Sequence, residues 1–277
     1  MFPNPDHMCL QLDNILSDEV SLHPSSSVKY RQILGIRFFG QNAREAAGIG
    51  LKGGLVVVPA APALLALVTD REYRKALLNA DLAITDSGFM VLIWNAIKRD
   101  NLRRVSGLEY LKIILEAPEM REPGATFWVM PTRESLEKNL QWLQKQGIAV
   151  SEDDCYVAPM YKGNHLTDEV LVETLARKKP RQIVIGLGGG VQEKLGCYLK
   201  ESLEHSLDYT PGIHCIGAAI AFLSGDQVNI PEWADRYFVG WLFRCLYEPG
   251  KFIPRYWKAR KLLPLMLQYQ EELPPLV

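Results

Sequence analysis

The sequence predicts an α/β fold, a Rossmann-like and mostly parallel sheet with helices on both faces, followed by a helical C-terminal appendage. Short apolar runs alternate along the chain with segments of helical periodicity, which is the rhythm of a βαβ series. The clearest unit begins with the apolar run Gln182 to Ile185, turns through Gly186 to Gly190, and enters a polar helix start at Gln192. Such a turn sets the free N–H groups of a helix N-terminus beside the end of a buried strand, where an anion can bind.

The same patterns define the remaining elements in chain order. Strands are predicted at Ile33 to Phe39, Leu55 to Val58, Leu82 to Thr85, Thr126 to Met130, Cys155 to Ala158, Gln182 to Gly186 and Ile213 to Ile216. Helices are predicted from Asn42, which with Gln41 forms a polar cap, and at Pro62 to Leu78, Phe89 to Lys98, Leu108 to Leu115, Ser135 to Lys145, Thr167 to Lys178 and Val191 to Leu203.

Changes in composition divide the chain into three parts. Residues 1–28 are rich in Pro, Ser and Asp and are predicted to be a flexible lead-in. Residues 29–228 carry the strand and helix alternation and form the predicted core. Residues 229–277 are predicted to be a helical appendage that is unusually aromatic and basic, with five basic residues and no acidic one from Lys251 to Lys261.

Composition and charge exclude several classes of protein. The 277 residues are 48% hydrophobic and can bury a full core, and a net charge of -1 argues against a protein that coats nucleic acid. The five cysteines include no Cys-x-x-Cys pair, which favours reduced thiols in a cytoplasmic protein over disulfides or zinc. The first basic residue is Lys29, so no secretory signal is expected, and no apolar run reaches the ~18 residues of a spanning helix.

The appendage has the composition of a surface that docks on a membrane. Aromatic rings interleaved with cations suit the headgroup region of an anionic membrane. We expect Arg244, Arg255 and Lys258 to meet lipid phosphates. A packed helical tail with a solvated basic face explains the same composition, and without a membrane an exposed aromatic tail would favour a homo-oligomer.

Three segments in order resemble the WecB/TagA/CpsF family (WecG/TagA type) of bacterial glycosyltransferases. The first, with Thr85-Asp86-Ser87-Gly88 and Arg104-Val105-Ser106-Gly107, is similar to the family's Asp-Gly turn and its Arg-Val-x-Gly-x-Asp segment. The second, Gly186 to Lys194, is similar to its Gly-x-Gly-x-Pro-x-Gln-Glu. The third comprises Ile216 to Gly225, Ile230 to Trp233, Trp241 to Arg244 and Glu248 to Tyr256.

The resemblance implies a substrate pair and a reaction. The donor would be a nucleoside diphosphate sugar, expected to be UDP-linked and to carry N-acetylmannosamine, its uronic acid or a related sugar. The acceptor would be a sugar on a polyprenyl diphosphate at the inner face of the plasma membrane, in the assembly of cell-surface polysaccharide. Arg244, Arg255 and Lys258 would then also meet the acceptor diphosphate. Transfer would invert the anomeric centre and need no cofactor and no metal, and this sequence has no Asp-x-Asp motif.

Asp86 is the predicted catalytic base, since an inverting transfer needs a carboxylate within hydrogen-bond reach of the attacking hydroxyl. It matches the family's catalytic aspartate and follows a predicted strand, although an Asp there could instead cap the next helix. Arg104 is predicted to stabilise the departing diphosphate. The residues predicted to bind the donor are Gly88, Gly107, Gly186, Gly188, Gly190, Gln192, Glu193 and Gly217. Gln192 and Glu193 are equally explained as helix caps.

The sequence departs from the family pattern at several ligand positions. Pro59-Ala60-Ala61-Pro62 replaces Thr-x-Asn-Pro, and Ala221 replaces an acidic residue; further departures are Gly190 for proline, Glu109 for aspartate and Gly240 for glutamate. These losses predict an altered donor sugar. They leave open a catalytically weak relative that binds a nucleotide sugar and assists a partner enzyme, and a purely structural membrane-associated protein.

A dehydrogenase fits the sequence poorly. A dinucleotide fingerprint needs a third glycine where this chain has Val191, and it belongs near the first strand. His165, His205 and His214 are scattered and are predicted to be structural.

Overall fold

The computed structural model describes residues 29–161, 166–204, 206–226 and 245–277, with the backbone alone for Lys251 and Phe252. The predicted lead-in, most of the segment between the core and α10 (Pro249–Ala259), and with them Arg244, His165 and His205, lie outside these ranges. The predicted boundary of the appendage at residue 229 therefore stays a prediction.

The described residues form one eight-stranded sheet in the order β1-β2-β4-β3-β8-β7-β5-β6. Its strands are β1 Tyr30–Ile33, β2 Ile36–Phe39, β3 Gly54–Val57, β4 Leu82–Ile84, β5 Thr126–Met130, β6 Cys155–Val157, β7 Gln182–Ile185 and β8 Gly212–Cys215. The β1–β2 pair is antiparallel and the other pairs are parallel. The predicted mostly parallel α/β sheet is confirmed.

Helices cover both faces of this sheet. They are α1 Ala43–Gly50, α2 Ala61–Leu64, α3 Arg71–Leu78, α4 Gly88–Lys98, α5 Gly107–Glu116, α6 Arg133–Lys145, α7 Glu169–Lys178, α8 Val191–Leu203, α9 Ala219–Ser224, α10 and α11 Leu262–Tyr269. Apolar residues of α2, α3, α4, α7, α8, α10 and α11 share one buried cluster, and those of α1, α5, α6 and α9 share the other. Adjacent strand residues alternate between the two, with Val57 in the first and Val56 in the second.

The two halves of the chain meet at the parallel pair of β3 and β8. Strands β1 to β4 lie on one side of this junction and β5 to β8 on the other. The connections of the first half of the chain therefore lie on one side of this pair, and those of the second half lie on the other. In open α/β sheets the crevice outside the carboxyl ends of the strands at such a point is the usual place for a ligand.

The single strand predicted from Ile33 to Phe39 was wrong, because the segment folds as a hairpin. Leu34 and Gly35 form its two-residue turn with φ of 51° and 79°. A Cβ on Gly35 would lie 2.5 Å from the Leu273 Cβ, so both the backbone angle and the packing require glycine. The apolar run hid the turn because Leu34 is itself buried.

The long helix predicted from Pro62 to Leu78 was also wrong, because it breaks before Asp70. Helix α2 passes into a 3-10 turn, Leu65–Val68, and a new helix starts at Arg71. The Asp70 side chain accepts a hydrogen bond from the Tyr73 N–H (3.0 Å) and pairs with Lys194 Nζ (2.9 Å). A capped start with an ion pair is more favourable here than a continuous helix.

The C-terminal residues of the predicted appendage are built into the core. Leu262 and Met266 of α11 are fully buried. The carbonyl of Gln270 accepts from the Leu34 N–H (2.8 Å), and the N–H of Val277 donates to the Val68 carbonyl (2.8 Å). The end of the chain therefore holds both the hairpin turn and the α2 segment in place.

The buried side chain of His214, a residue of β8, is part of a chain of hydrogen bonds. Gln182 Nε2 donates to the Leu51 carbonyl (3.0 Å), so its Oε1 faces His214 Nε2 (2.8 Å) as an acceptor. His214 Nδ1 then accepts from the Tyr110 hydroxyl, also at 2.8 Å. With its proton on Nε2, the neutral ring satisfies both nitrogens with these partners, which agrees with the predicted structural role.

Protonation of His214 is expected to destabilise the fold. Burial lowers the pKa of His214 to about 3, whereas an unfolded histidine titrates near ~6.5. Between these values the unfolded chain binds more protons, so the free energy of unfolding falls as the pH decreases. We expect urea unfolding to show a loss of about 2 kcal/mol from this group between pH 6.5 and 5.

His214→Gln provides the comparison, since it cannot titrate. The stability difference between wild type and this variant should narrow as the pH decreases. If the free energy of unfolding changed with pH in the same way for both proteins, the lowered pKa of His214 would be contradicted.

Candidate functional site

A cleft of about 380 Å³ lies at the carboxyl ends of five strands. Its walls come from the segments that follow β3, β4, β5, β7 and β8, together with the start of α5, one face of α6 and one residue of α10. The polar side chains on these walls are Asp86, Arg104, Ser106, Ser135, Asn139, Gln192 and Arg255. The cleft therefore occupies the crevice that the strand order indicates.

Asp86 lies two residues past the end of β4, and its side chain is about one quarter exposed (26%). Its Oδ1 accepts a hydrogen bond from the Gly107 N–H at the start of α5 (2.9 Å) and lies 3.7 Å from an Arg104 guanidinium nitrogen. Its Oδ2 has no partner among the described residues. One carboxylate oxygen is thus held in place and the other remains for a ligand.

The alternative in which Asp86 caps the next helix does not describe this structure. The cap of α4 is Ser87, whose hydroxyl accepts from the Met90 N–H (3.2 Å). Gly88 follows as the first residue of α4 and does not line the cleft. Asp86 instead accepts a hydrogen bond from Gly107, the first residue of α5.

Thr85 fixes the position of Arg104. Its buried hydroxyl donates to the Arg103 carbonyl (2.8 Å) and accepts from the Val105 N–H (3.1 Å), which ties residues 103–105 to the end of β4. Arg104 Nε then donates to the Asp86 carbonyl (2.7 Å), and its side chain is only 18% exposed. Arg103 is exposed, so the neighbouring arginine does not compete for this place.

The glycine turn after β7 lines the opposite wall. Gly186, Gly188 and Gly189 face the cleft, whereas Gly190 does not. Gly190 has a φ of 94°, which proline cannot adopt, so its departure from the family pattern reflects a different backbone. The N–H groups of Gly188 and Gly189 make no hydrogen bond within the part of the chain that the structure describes, and they can receive an anion.

Gln192 and Glu193 are occupied within the protein. Glu193 is fully buried; its Oε2 accepts from the Gly190 N–H (2.6 Å) and its Oε1 from Gln192 Nε2 (3.2 Å). The Oε1 of Gln192 accepts from the Gly217 N–H (2.6 Å) in the loop after β8. Gln192 lines the cleft and Glu193 lies behind it, so the helix-cap explanation describes Glu193.

Most of the other predicted residues meet in this cleft. Gly107 and Gly217 line it, and Arg255 reaches it from α10. Lys258, on the same helix, is exposed and does not line the cleft.

Several polar groups of the cleft were not predicted. Ser106 caps α5 by accepting from the Glu109 N–H (3.1 Å), and the Ser-x-x-Glu spacing was the available signal. Ser135 and Asn139 lie one turn apart on α6, where they look like part of an ordinary polar face. The Ser135 hydroxyl donates to the Asp226 carboxylate, and Asn139 Oδ1 accepts from the Ser224 hydroxyl (2.5 Å).

Part of the cleft wall is apolar. Val58 and Ala60 line it after β3, and Ala218 to Phe222 line it after β8. These are the segments in which the sequence departs from the family pattern by losing polar side chains. This part of the wall therefore offers a bound sugar few hydrogen-bonding side chains.

The described residues contain no group of three or more His, Cys, Asp or Glu side chains arranged to hold a metal ion. Cys155, Cys197, Cys215 and Cys245 are free thiols, and Cys9 lies outside the described ranges. Burial raises the pKa of the Cys215 thiol well above its usual range, which makes it a poor nucleophile.

Comparison with known proteins agrees with this geometry. The model of the Glycosyl transferase WecG/TagA/CpsF family matches residues 31–274 of the 277. No curated protein matches the chain. The match spans the whole sheet, both walls of the cleft and the C-terminal helices.

Thr85→Val is expected to loosen the segment that carries Arg104. The substitution keeps the shape but leaves the Arg103 carbonyl and the buried Val105 N–H without their partner, which costs about 2 kcal/mol in the free energy of unfolding. Thr85→Ser retains the hydroxyl and serves as the matched control, with a loss of no more than about 1 kcal/mol for the missing methyl group. Equal losses in urea unfolding for the two variants would contradict this role.

Proposed function

The chain belongs to the Glycosyl transferase WecG/TagA/CpsF family, and we propose that it is an inverting enzyme with a nucleoside diphosphate sugar as donor. The sugar is of the N-acetylhexosamine type, N-acetylmannosamine or a relative, and the nucleotide is uridine. The acceptor is a sugar on a polyprenyl diphosphate, in the synthesis of cell-surface polysaccharide. One observation carries the proposal: a partly exposed carboxylate, Asp86, shares one cleft with two arginines and the glycine turn.

The proposed reaction uses the free oxygen of Asp86. The acceptor hydroxyl gives its proton to Asp86 Oδ2 as its oxygen attacks the anomeric carbon. A new carbon–oxygen bond forms on one face of the sugar while the bond to the diphosphate breaks on the other. The nucleoside diphosphate leaves with the bonding electron pair, so the configuration at the anomeric carbon inverts.

The departing diphosphate needs positive charge and hydrogen-bond donors that are already in place. Arg104 is held by Asp86 and by the segment that Thr85 anchors, so its place at the cleft is fixed before a phosphate binds. Arg255 supplies a second cation from α10, and Gly188 and Gly189 supply free amides. We assign this set to the diphosphate.

The apolar wall supports a donor that differs from the family's usual one. Pro59 and Ala61, on either side of Ala60 of this wall, stand where the family pattern has a hydroxyl and an amide that would hold the ligand. A wall of this kind favours methyl or acetyl groups over hydroxyls, since a hydroxyl placed against it loses its hydrogen bonds to water. Donor selection is therefore expected to follow the apolar substituents of the sugar.

The C-terminal helices support docking of the enzyme on an anionic membrane from the cytoplasmic side. No helix within the described ranges has the length and apolar character needed to span a bilayer. Helix α10 directs Arg255 to the cleft, while Ile253, Trp257 (65% exposed) and Lys258 lie on its outer surface. The Arg260 guanidinium stacks 3.8 Å from the Trp257 ring centroid, a pairing suited to a headgroup layer.

Asp86→Asn tests the catalytic assignment. Asparagine can still accept from the Gly107 N–H through its carbonyl but cannot take a proton, so the transfer rate should fall by about 10²- to 10⁴-fold. Affinity for UDP should stay within about threefold, because Asp86 makes no proposed contact with the diphosphate. Transfer is followed by mass spectrometry with a panel of UDP-sugars and a short-chain polyprenyl-diphosphate GlcNAc acceptor.

Glu116→Gln, at the exposed end of α5, is the control for loss of one carboxylate and should leave transfer unchanged. A wild-type rate that persists in Asp86→Asn would rule out the proposed base. UDP binding without turnover in both proteins would support the catalytically weak relative instead.

Reversal of the charges beside Trp257 tests membrane docking. Each basic residue near an anionic surface contributes about 1 kcal/mol, so Lys258→Glu with Arg260→Glu should weaken binding to anionic liposomes by about tenfold or more. Wild-type binding should also weaken with added salt. Lys52→Glu with Lys145→Glu makes the same change at exposed positions just before β3 and at the end of α6, and should have no effect. Sedimentation with liposomes that does not depend on salt would count against docking through this surface.

A further inference from the structure

Glu193 is the end point of a chain of hydrogen bonds that all run in one direction. The Gly190 N–H donates to Oε2 and the Gln192 amide donates to Oε1. Gln192 in turn accepts from the Gly217 N–H. The loop after β7 and the loop after β8 are thus tied to one buried carboxylate, and we call Glu193 and Gln192 the clasp.

The direction of these bonds depends on the acceptor at the end of the chain. A carboxylate accepts and does not donate, so Gln192 must turn its NH₂ toward Glu193. Its carbonyl oxygen then faces Gly217, where a backbone N–H needs an acceptor. The orientation of the Gln192 amide is therefore set by Glu193, and the loop after β8 depends on it.

The surroundings of Glu193 fit a carboxylate held by donors. The pKa of Glu193 is raised, because burial outweighs the lowering by its backbone bonds, by Gln192 and by the nearby Arg255. The geometry nevertheless gives each carboxylate oxygen a donor, from Gly190 and from Gln192. A buried carboxylate with two donors and a nearby cation is a costly feature that serves to order the backbone around it.

The clasp also decides which amides remain for a ligand. It uses the N–H groups of Gly190 and Gly217, and the N–H groups of Val191 and Gln192 donate to the Gly188 carbonyl (3.2 Å each). Gly188 and Gly189 keep their N–H groups free within the described residues, on the stretch between the end of β7 and the clasp.

We propose that Glu193 is a positioning residue, which acts through Gln192 to hold the turn after β7 against the loop after β8 so that the Gly188 and Gly189 amides meet the donor diphosphate. This inference rests on the proposed function for the identity of the anion. It also changes the expected role of Gln192, from a group that contacts the donor to one that joins two loops.

An exchange of the two side chains tests the direction of the bonds. In Glu193→Gln the new amide has one oxygen for two donors, so either the Gly190 N–H loses its acceptor, or Gln192 turns over and the Gly217 N–H loses its acceptor. In the double variant Glu193→Gln with Gln192→Glu the chain can form again. The amide now at position 193 would accept from the Gly190 N–H and donate to the carboxylate now at position 192, which would accept from Gly217. Restoration by the double variant is not expected if Glu193 or Gln192 acts as a direct ligand.

The first readout is amide hydrogen exchange, which needs no substrate. Glu193→Gln should speed exchange at Gly190 or at Gly217 by about tenfold, because a buried group left without a partner costs about that factor. The double variant should return it to within about threefold of wild type. Glu201→Gln removes a carboxylate from the exposed side of the same helix and should change nothing at Gly217.

The second readout is the Kd for UDP, measured by calorimetry. Glu193→Gln should raise this Kd by about tenfold, and the double variant should recover most of the lost affinity. Unchanged exchange at both Gly190 and Gly217 in Glu193→Gln, or a double variant no better than the single ones, overturns the clasp. If Glu193→Gln does not fold, Gln192→Glu and the double variant give the same comparison, and a double variant that also fails to fold overturns it.

The two proposals fail in different ways. If the wild type does not bind UDP but the exchange results hold, the proposed donor is wrong and the clasp stands. If Gly190 or Gly217 exchanges faster in Glu193→Gln while UDP binds equally well, the link between the clasp and the diphosphate is wrong and the donor stands.

Discussion

The cleft depends on one row of backbone pairing that crosses the sheet. In this row Val57 of β3 pairs with Ala83 on one side and with Cys215 on the other, and the row continues through Ile185 to Val129. Asp86, Gly186 and Gly217 lie one to three residues beyond it. A register slip of one residue would move a loop by about 3.3 Å and exchange the two faces of its strand. The buried apolar residues on both faces prevent this slip, so the core determines the geometry of the cleft.

The sequence was sufficient for the parallel core and for the two loops that face each other. Buried parallel strands are nearly continuous apolar runs, and the Asp86 and Gly186 segments each follow such a run. It was insufficient where tertiary contacts override the local pattern. Leu34 adopts a left-handed turn because the C-terminal segment binds its amide, and the helix predicted from Pro62 breaks where Asp70 meets Lys194. Neither partner is near in sequence.

The roles of Gln192 and Glu193 show a second limit of sequence reasoning. Both residues suit a helix start and both suit a phosphate site, because the same N–H groups create the two possibilities. Only the direction of each hydrogen bond distinguishes a helix cap from a phosphate site. That direction depends on Gly217, which lies in the loop after another strand. Thr85 was missed for a similar reason, since its partners at Arg103 and Val105 come from a connection whose path the sequence does not reveal.

The two cations of the cleft differ in what holds them, and this difference bears on how the enzyme would work. Arg104 is fixed to the core through Asp86, beside the segment that Thr85 anchors. Arg255 lies on α10, whose last residue, Ala259, packs into the core and whose outer surface carries Trp257 and Lys258. In the proposed reaction the charge of the departing diphosphate needs both arginines. A helix that supplies one of them to the cleft, while its other side meets the membrane, would couple departure of the diphosphate to the presence of the lipid-linked acceptor.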